Sequence, residues 1–324
     1  MRKPIFGITF ALVTVTVAPL HAHAQENYPV RPVRIIVPTT PGAGTDLSAR
    51  VLAQDFSKRW NQSVVVENRA GAGTIVGTEL AAKAAPDGYT LLMAPGALAT
   101  IVPTYKKLPF DVIRDFAPIM HVLSTPQILA VHPSLPAKNV REFIALAKAR
   151  PEQIQYAAAG HGTLPHLSME LFAAMAMVRL TNVLYKGNSG LTDLMGGRIE
   201  ATMSASLSLV APHVRSGRLR GLGVSSATRL KALPETPTIA EAGVPDYEAM
   251  QWAGLLTPAN TSRELVARLH KEAVNTLSRA ELVEHIVRDG SMVIAGTPEA
   301  FGAFIKTEIS KWAGVVKAAG IQPE

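Results

Sequence analysis

The sequence predicts an α/β protein of two domains with a cleft between them, and three observations carry that expectation. Short apolar runs such as Arg34-Ile-Ile-Val37 are each followed by a glycine-containing turn and then a helical pattern, the alternation of parallel strands with covering helices. The pattern runs from Arg34 to Met93 and resumes at Gln127, giving two α/β units in one chain. The 324 residues include 48% hydrophobic ones and no cysteine. That suffices for two cores built by packing, without disulfides.

Taken in order, the first unit reads as a strand Arg34 to Val37, a turn, and a helix from about Asp46 to Trp60. Asp46 is the expected N-cap, its carboxylate taking orphan amides of the first turn. A strand Ser63 to Glu67, a helix near Val76 to Ala84 and a strand Tyr89 to Met93 follow. The second unit reads as strand Gln127 to Val131, helix Val140 to Ala149, strand Gln155 to Ala158 and helix Leu167 to Met177. Val183 to Tyr185 leads to a helix through Met195, then strand Ala201 to Met203, helix Leu209 to Ser216 and strand Leu219 to Val224. A proline-dense loop, Leu233 to Pro245, precedes the apolar run Ala253 to Thr257 and amphipathic helices over 262–277, 280–288 and 298–318.

Met1-Arg2-Lys3, an apolar or small stretch from Ile5 to Leu20, and Ala22-His-Ala24 have the form of a secretory signal peptide cut after Ala24. Removing Arg2 and Lys3 lowers the formal charge from +7 to +5. The basic residues are scattered singly and aromatics make up 6%, which argues against a nucleic-acid footprint. Mild positive charge still favours the approach of an anionic ligand.

Five turns contain glycine: Thr39 to Thr45, Arg69 to Thr74, Ala94 to Thr100, Gly160 to Thr163 and Gly187 to Gly190. Ligands of open α/β sheets bind beyond the carboxyl ends of strands, so these turns are expected at one cleft. The first lacks the Gly-Lys-Ser/Thr ending of a nucleotide phosphate loop and the glycine spacing of a dinucleotide fingerprint. No cofactor is expected. His161 and His166 are five apart with no acid between Tyr156 and Ser168, so a metal would need distant ligands. His166 reads instead as a helix-start residue bonded to backbone. His121, His132, His213, His270 and His285 are isolated and expected at surfaces or element ends. Ser189 lacks the nucleophile-elbow context, and Ser204, Ser206 and Ser208 have no histidine or acid at a recognisable offset. An enzyme is therefore not expected, although an esterase or amidase on this scaffold is the alternative from another class.

Twelve fragments in register then carry a resemblance. They are Tyr28-Pro-Val-Arg-Pro-Val-Arg-Ile-Ile-Val-Pro38, Pro41-Gly-Ala-Gly-Thr-Asp46, Val66-Glu-Asn-Arg69, Ala85-Pro-Asp-Gly-Tyr-Thr90, Lys107-Leu-Pro-Phe-Asp111, Asp115-Phe-Ala-Pro118, Ala159-Gly-His-Gly-Thr163, Tyr185-Lys-Gly187, Asp193-Leu-Met-Gly-Gly197, Pro237-Thr-Ile-Ala-Glu-Ala-Gly243, Trp252-Ala-Gly254 and Lys311-Trp312. From Tyr28 to its C-terminus the chain resembles the periplasmic receptors of the tripartite tricarboxylate transporter family, also called the Bordetella uptake gene family. The resemblance implies the type II periplasmic-binding-protein fold, with residues 25–128 and 250–324 forming one domain and 129–249 the other. It implies a monomeric receptor that closes on a small carboxylate and passes it to membrane permease subunits, or, alternatively, signals to a membrane sensor.

The expected ligand-binding residues are Thr39, Thr40, Gly42, Ala43, Gly44, Thr45 and Asp46 in the first turn and Gly96 in the third. His161, Gly162, Thr163 and His166 are expected from the fourth, with Lys186 and Ser204. The chain departs from the family pattern at Ala43, commonly glycine, at Thr39 and Thr40, often phenylalanine or alanine, and at His161, usually serine or asparagine. Ser204 stands where an aspartate is common. An ammonium would lose its partner there, so a dicarboxylate or an aromatic carboxylate is expected over an amino acid.

Overall fold

The computed structural model describes residues 28–158, 160–185, 189–204, 207–287 and 290–324, so the expected export segment lies outside the described residues. Valine- and isoleucine-rich β1 (Val33–Val37) pairs in parallel with β2 (Val64–Asn68) on one side and β3 (Thr90–Pro95) on the other. Its side chains are buried on both faces apart from half-buried Arg34, as a central parallel strand requires. Helices α1 (Gly44–Trp60) and α2 (Ile75–Ala82) connect these strands, and α3 (Ala97–Thr104) follows β3.

Strand β4 (Phe116–Pro126) runs from this sheet to Gln127, and β5 (Ile128–Val131) begins the second sheet. There follow α4 (Val140–Ala149), β6 (Gln155–Ala158), α5 (Leu164–Ala176), β7 (Thr181–Leu184), α6 (Gly190–Met195), β8 (Ala201–Ser204), α7 (Leu207–Arg215) and β9 (Arg220–Val224). The chain returns through β10 (Met250–Pro258), α8 (Arg263–Leu277), α9 (Ala280–Val287), β11 (Met292–Val293) and α10 (Pro298–Ala318). Sheet one has the order β11-β4-β10-β3-β1-β2, and sheet two β7-β6-β8-β5-β9.

Both sheets are mixed. The parallel arrangement expected of the first three strands holds, but β10 lies antiparallel between β3 and β4, and β5 lies antiparallel between β8 and β9. The cause is the crossing itself: Met250 re-enters sheet one opposite Pro126, where the chain left it, so β10 must run against β4. The sequence reading also lacked β4 and α3. Pro118, His121 and Ser124 interrupt the apolar run of β4, and α3 carries Pro103. His121 is consequently not at a surface or element end. It is buried within β4, its ring 4.5 Å from that of Phe304 and 5.5 Å from that of Phe301, and burial pushes its pKa down to about 4.

The two crossings are joined by a buried polar knot. The Gln127 amide donates to Ser225 Oγ at 2.7 Å, and that hydroxyl donates to the Ala249 carbonyl at 2.5 Å. The Ser225 amide in turn donates to Gln127 O at 2.9 Å. Gln127 Nε2 donates to Ser168 Oγ on α5, and the Tyr247 hydroxyl to the Ser168 carbonyl. Around the knot one apolar cluster is continuous from Leu92, Trp252 and Phe301 to Tyr156, Phe172 and Tyr247, with α10 packed on both α3 and α5. Ser225→Ala should destabilise the protein by about 1–3 kcal/mol, because it strips a buried amide of its acceptor. Urea denaturation measures this against the exposed control Ser278→Ala, which should stay within about 0.5 kcal/mol of wild type.

Candidate functional site

The glycine turns sit at strand-to-helix junctions, ahead of α1, α2, α3, α5 and α6. The Ala94 to Thr100 segment is less of a turn than its composition suggests: β3 continues to Pro95 and α3 starts at Ala97, leaving Gly96 as the junction. In the fifth, residues 186–188 lie outside the described residues, and the expected site residue Lys186 with them.

Helix starts divide into two kinds. Away from these turns, Asn139, Ser262 and Thr297 cap α4, α8 and α10 by accepting from the amides of Glu142, Leu265 and Ala300. At the turns, α1, α2, α3 and α5 start from Ala43, Thr74, Gly96 and Thr163 with no side-chain cap. No N-cap side chain takes their first amides, although the Ile75 amide that opens α2 donates to Ala72 O.

Asp46 is not the N-cap expected of it. Ala43 holds that position in extended geometry, and Asp46 is the third helical residue. Its buried carboxylate reaches back to accept from the Gly42 amide at 2.8 Å, from Arg50 Nε at 2.9 Å and from Asn68 Nδ2 at 2.9 Å. Burial pushes its pKa up, but the hydrogen bonds from Arg50, Gly42 and Asn68 together outweigh burial and leave it below the usual carboxylate range. Asn68 Nδ2 also donates to Thr39 O at 3.2 Å, and the Ala43 amide to Thr40 O at 3.3 Å. Thr39 Oγ1 is buried with no partner among the described residues. Thr40 and Gly44 are exposed, Thr45 is buried, and a Cβ at Gly42 or Gly44 would meet open space.

The fourth turn repeats this construction. Thr163 occupies the N-cap with φ −69° and ψ 157°, against −66° and 154° at Ala43. Its hydroxyl donates to Gly160 O at 2.8 Å. His166, third in its helix as Asp46 is, accepts from the Gly162 amide through Nδ1 at 3.1 Å. The ring is bonded to backbone at a helix start, as the sequence suggested. Burial, with His161 beside it, pushes its pKa down to about 4. Glu170 Oε1 lies 3.8 Å from His166 Nε2 and accepts from the Tyr156 hydroxyl, and burial pushes the Glu170 carboxyl up. His161 is exposed, with its ring 5.2 Å from that of His166.

The two lobes touch beside this turn. A Cβ on Gly162, whose φ is +65°, would sit 3.0 Å from Thr104 Cγ2 at the end of α3. Ser204 ends β8 half-buried, opposite Ile128. Gly96 is buried, and a Cβ there would meet Gln251 Oε1, itself buried without a partner among the described residues. Arg50, Asn68, Thr104, Glu170 and Gln251 were not foreseen. The i,i+4 spacings of Asp46 with Arg50 and of His166 with Glu170 were visible signals; the contacts of Asn68, Thr104 and Gln251 depend on tertiary structure.

The family profile described as the tripartite tricarboxylate transporter family receptor matches residues 48–321. The chain belongs to this family. It is 35% identical over 319 residues to Protein BugT of Bordetella pertussis, covering 98% of this chain and 96% of that one. Among solved structures, an R. palustris protein with adipate is 33% identical with TM-score 0.78, over 92% of this chain and all of the other. MatC from Rhodopseudomonas palustris, with bound malate, is 28% identical with TM-score 0.74, over 89% of this chain and all of the other. The fold is that of two-domain periplasmic binding proteins, and family and fold are those of solute-binding receptors. Among the described residues no helix is long and apolar enough to cross a membrane.

The two glycines of the first turn separate backbone strain from occupancy of the space in front. Gly42 has φ +83°, whereas Gly44 is helical. Gly42→Val should cost about 1–3 kcal/mol, and Gly44→Val should lie within about 0.5 kcal/mol of wild type. Chemical denaturation of both variants checks the contrast.

Proposed function

We propose that this periplasmic receptor captures a small carboxylate, a dicarboxylate or an aromatic carboxylate in preference to an amino acid, and delivers it to the permease subunits of a tripartite tricarboxylate transporter. The observation that carries the reading is the pair of matching turns at Thr39 to Asp46 and Gly160 to His166. Each leads into an uncapped helix and is held from behind by a buried side chain. Amides at helix starts hold a carboxylate without a fixed counter-charge. The anionic ligands of the two R. palustris relatives, adipate and malate, support the same ligand class here.

The ligand would lie between a domain of residues 25–128 and 250–324 and a domain of 129–249. In the first, Thr39, Thr40, Ala43, Gly44 and Thr45 would line the site, with Gly42 and Asp46 shaping the turn and Gly96 on the floor. In the second, His161, Gly162, Thr163 and Ser204 would face it, with His166 behind; Lys186, outside the described residues, remains a candidate from the sequence alone. The protein would act as a monomeric binder and not as a catalyst. It would reach the periplasm by cleavage after Ala24; N-terminal sequencing of the periplasmic protein should begin at Gln25, and an intact Met1 would overturn that.

A thermal-shift screen of the mature protein should give stabilisation by adipate, malate or benzoate and a smaller one by aspartate, since a ligand of the folded state raises apparent stability by mass action. Gly44→Val should abolish the response while keeping the wild-type melting temperature. Ser204→Asp should weaken the dicarboxylate by about tenfold or more, since like charges at short range in a poorly solvated cleft repel by more than about 1.4 kcal/mol. Equal responses to dicarboxylates and amino acids in wild type and Ser204→Asp would contradict the specificity argument, and no response to any carboxylate would contradict the ligand class.

A further inference from the structure

The geometry assigns His166 as a positioning residue of the ligand turn, the counterpart in the second lobe of Asp46 in the first, acting through its unprotonated Nδ1 on the Gly162 amide. The inference rests on reading residues 160–163 as a ligand seat. It is carried by the repetition: in both turns a glycine of positive φ, Gly42 at +83° and Gly162 at +65°, donates its amide to the side chain four residues on. Both acceptors are buried and third in their helices. Taking the glycine amide inward fixes the peptide planes of the turn, so that the helix-start amides face outward, toward the ligand.

The tautomer follows from the bond itself. An amide only donates, so Nδ1 must accept and the proton of the neutral ring must be on Nε2. Glu170, 3.8 Å from Nε2 and held by the Tyr156 hydroxyl, favours a proton on that side. The low pKa keeps the ring neutral near pH 7. The charge of the acceptor distinguishes the two turns. Asp46 is anionic and offset by Arg50, whereas His166 orders its turn without adding a negative charge beneath an anionic ligand.

Asparagine and glutamine separate position from polarity. In Asn the amide oxygen falls where Nδ1 lies, and in Gln it falls near Nε2. The first measurement is nitrogen NMR of the wild-type imidazole together with hydrogen exchange of the Gly162 amide, with no ligand present. An accepting Nδ1, a protonated Nε2, and an amide slow in wild type and His166→Asn but at least about tenfold faster in His166→Gln are expected. A proton on Nδ1, or equal exchange in all three proteins, overturns the assignment whether or not any carboxylate binds. The second measurement is calorimetric titration with adipate. His166→Gln should bind about tenfold more weakly, as for one lost hydrogen bond near a charged ligand, and His166→Asn should recover most of that loss. Equal losses in Asn and Gln overturn the assignment; absence of adipate binding by the wild type counts against adipate as ligand and leaves the exchange result decisive.

Discussion

The knot at Gln127, Ser225 and Ala249 is the constraint on which the rest of the architecture depends. The chain passes from sheet one to sheet two at Gln127 and returns between β9 and β10. The Ser225 hydroxyl accepts from one crossing and donates to the other. Leaving the buried Ser225 hydroxyl or the Gln127 amide unpaired would be costly, which ties the crossings to one relative position, while Gln127 Oε1 has no partner among the described residues. The antiparallel placement of β10 beside β4 follows. Through Ser168, which meets Gln127 and lies two residues beyond His166, the knot is also anchored to the helix that carries the fourth turn.

At the first and fourth glycine turns, polar side chains shape the backbone. Asn139, Ser262 and Thr297 cap helices elsewhere, but α1, α2, α3 and α5 behind the glycine turns have no side-chain cap. Acidic groups behind the turns would ordinarily repel a carboxylate. Asp46 is offset by Arg50 and Asn68, and Glu170 accepts from the Tyr156 hydroxyl. Oriented backbone dipoles can then dominate the local field.

The alternation of apolar runs, turns and helices was legible because strands such as Val33–Val37 and helices such as Arg263–Leu277 have clear periodicity or burial patterns. β4 was not, because Pro118, His121 and Ser124 are accommodated by tertiary packing that local pattern does not record. Asp46 was legible as a residue that serves the first turn, but its direction was not: a carboxylate at the third helical position can reach backward to a glycine amide only if that turn is already folded. Likewise the five-residue separation of His161 and His166 argued against metal, while the pairing of His166 with Gly162 needed the turn's φ of +65°.

The most direct test of the account is a crystal structure of the mature protein grown with its strongest-binding carboxylate. The account predicts the ligand between the lobes, one carboxylate within hydrogen-bond distance of amides in the first turns of α1 and α5, with Gly42 and Gly162 still bonded to Asp46 and His166. A ligand seated outside the cleft, or clamped by Lys or Arg side chains with those amides left to solvent, would contradict it.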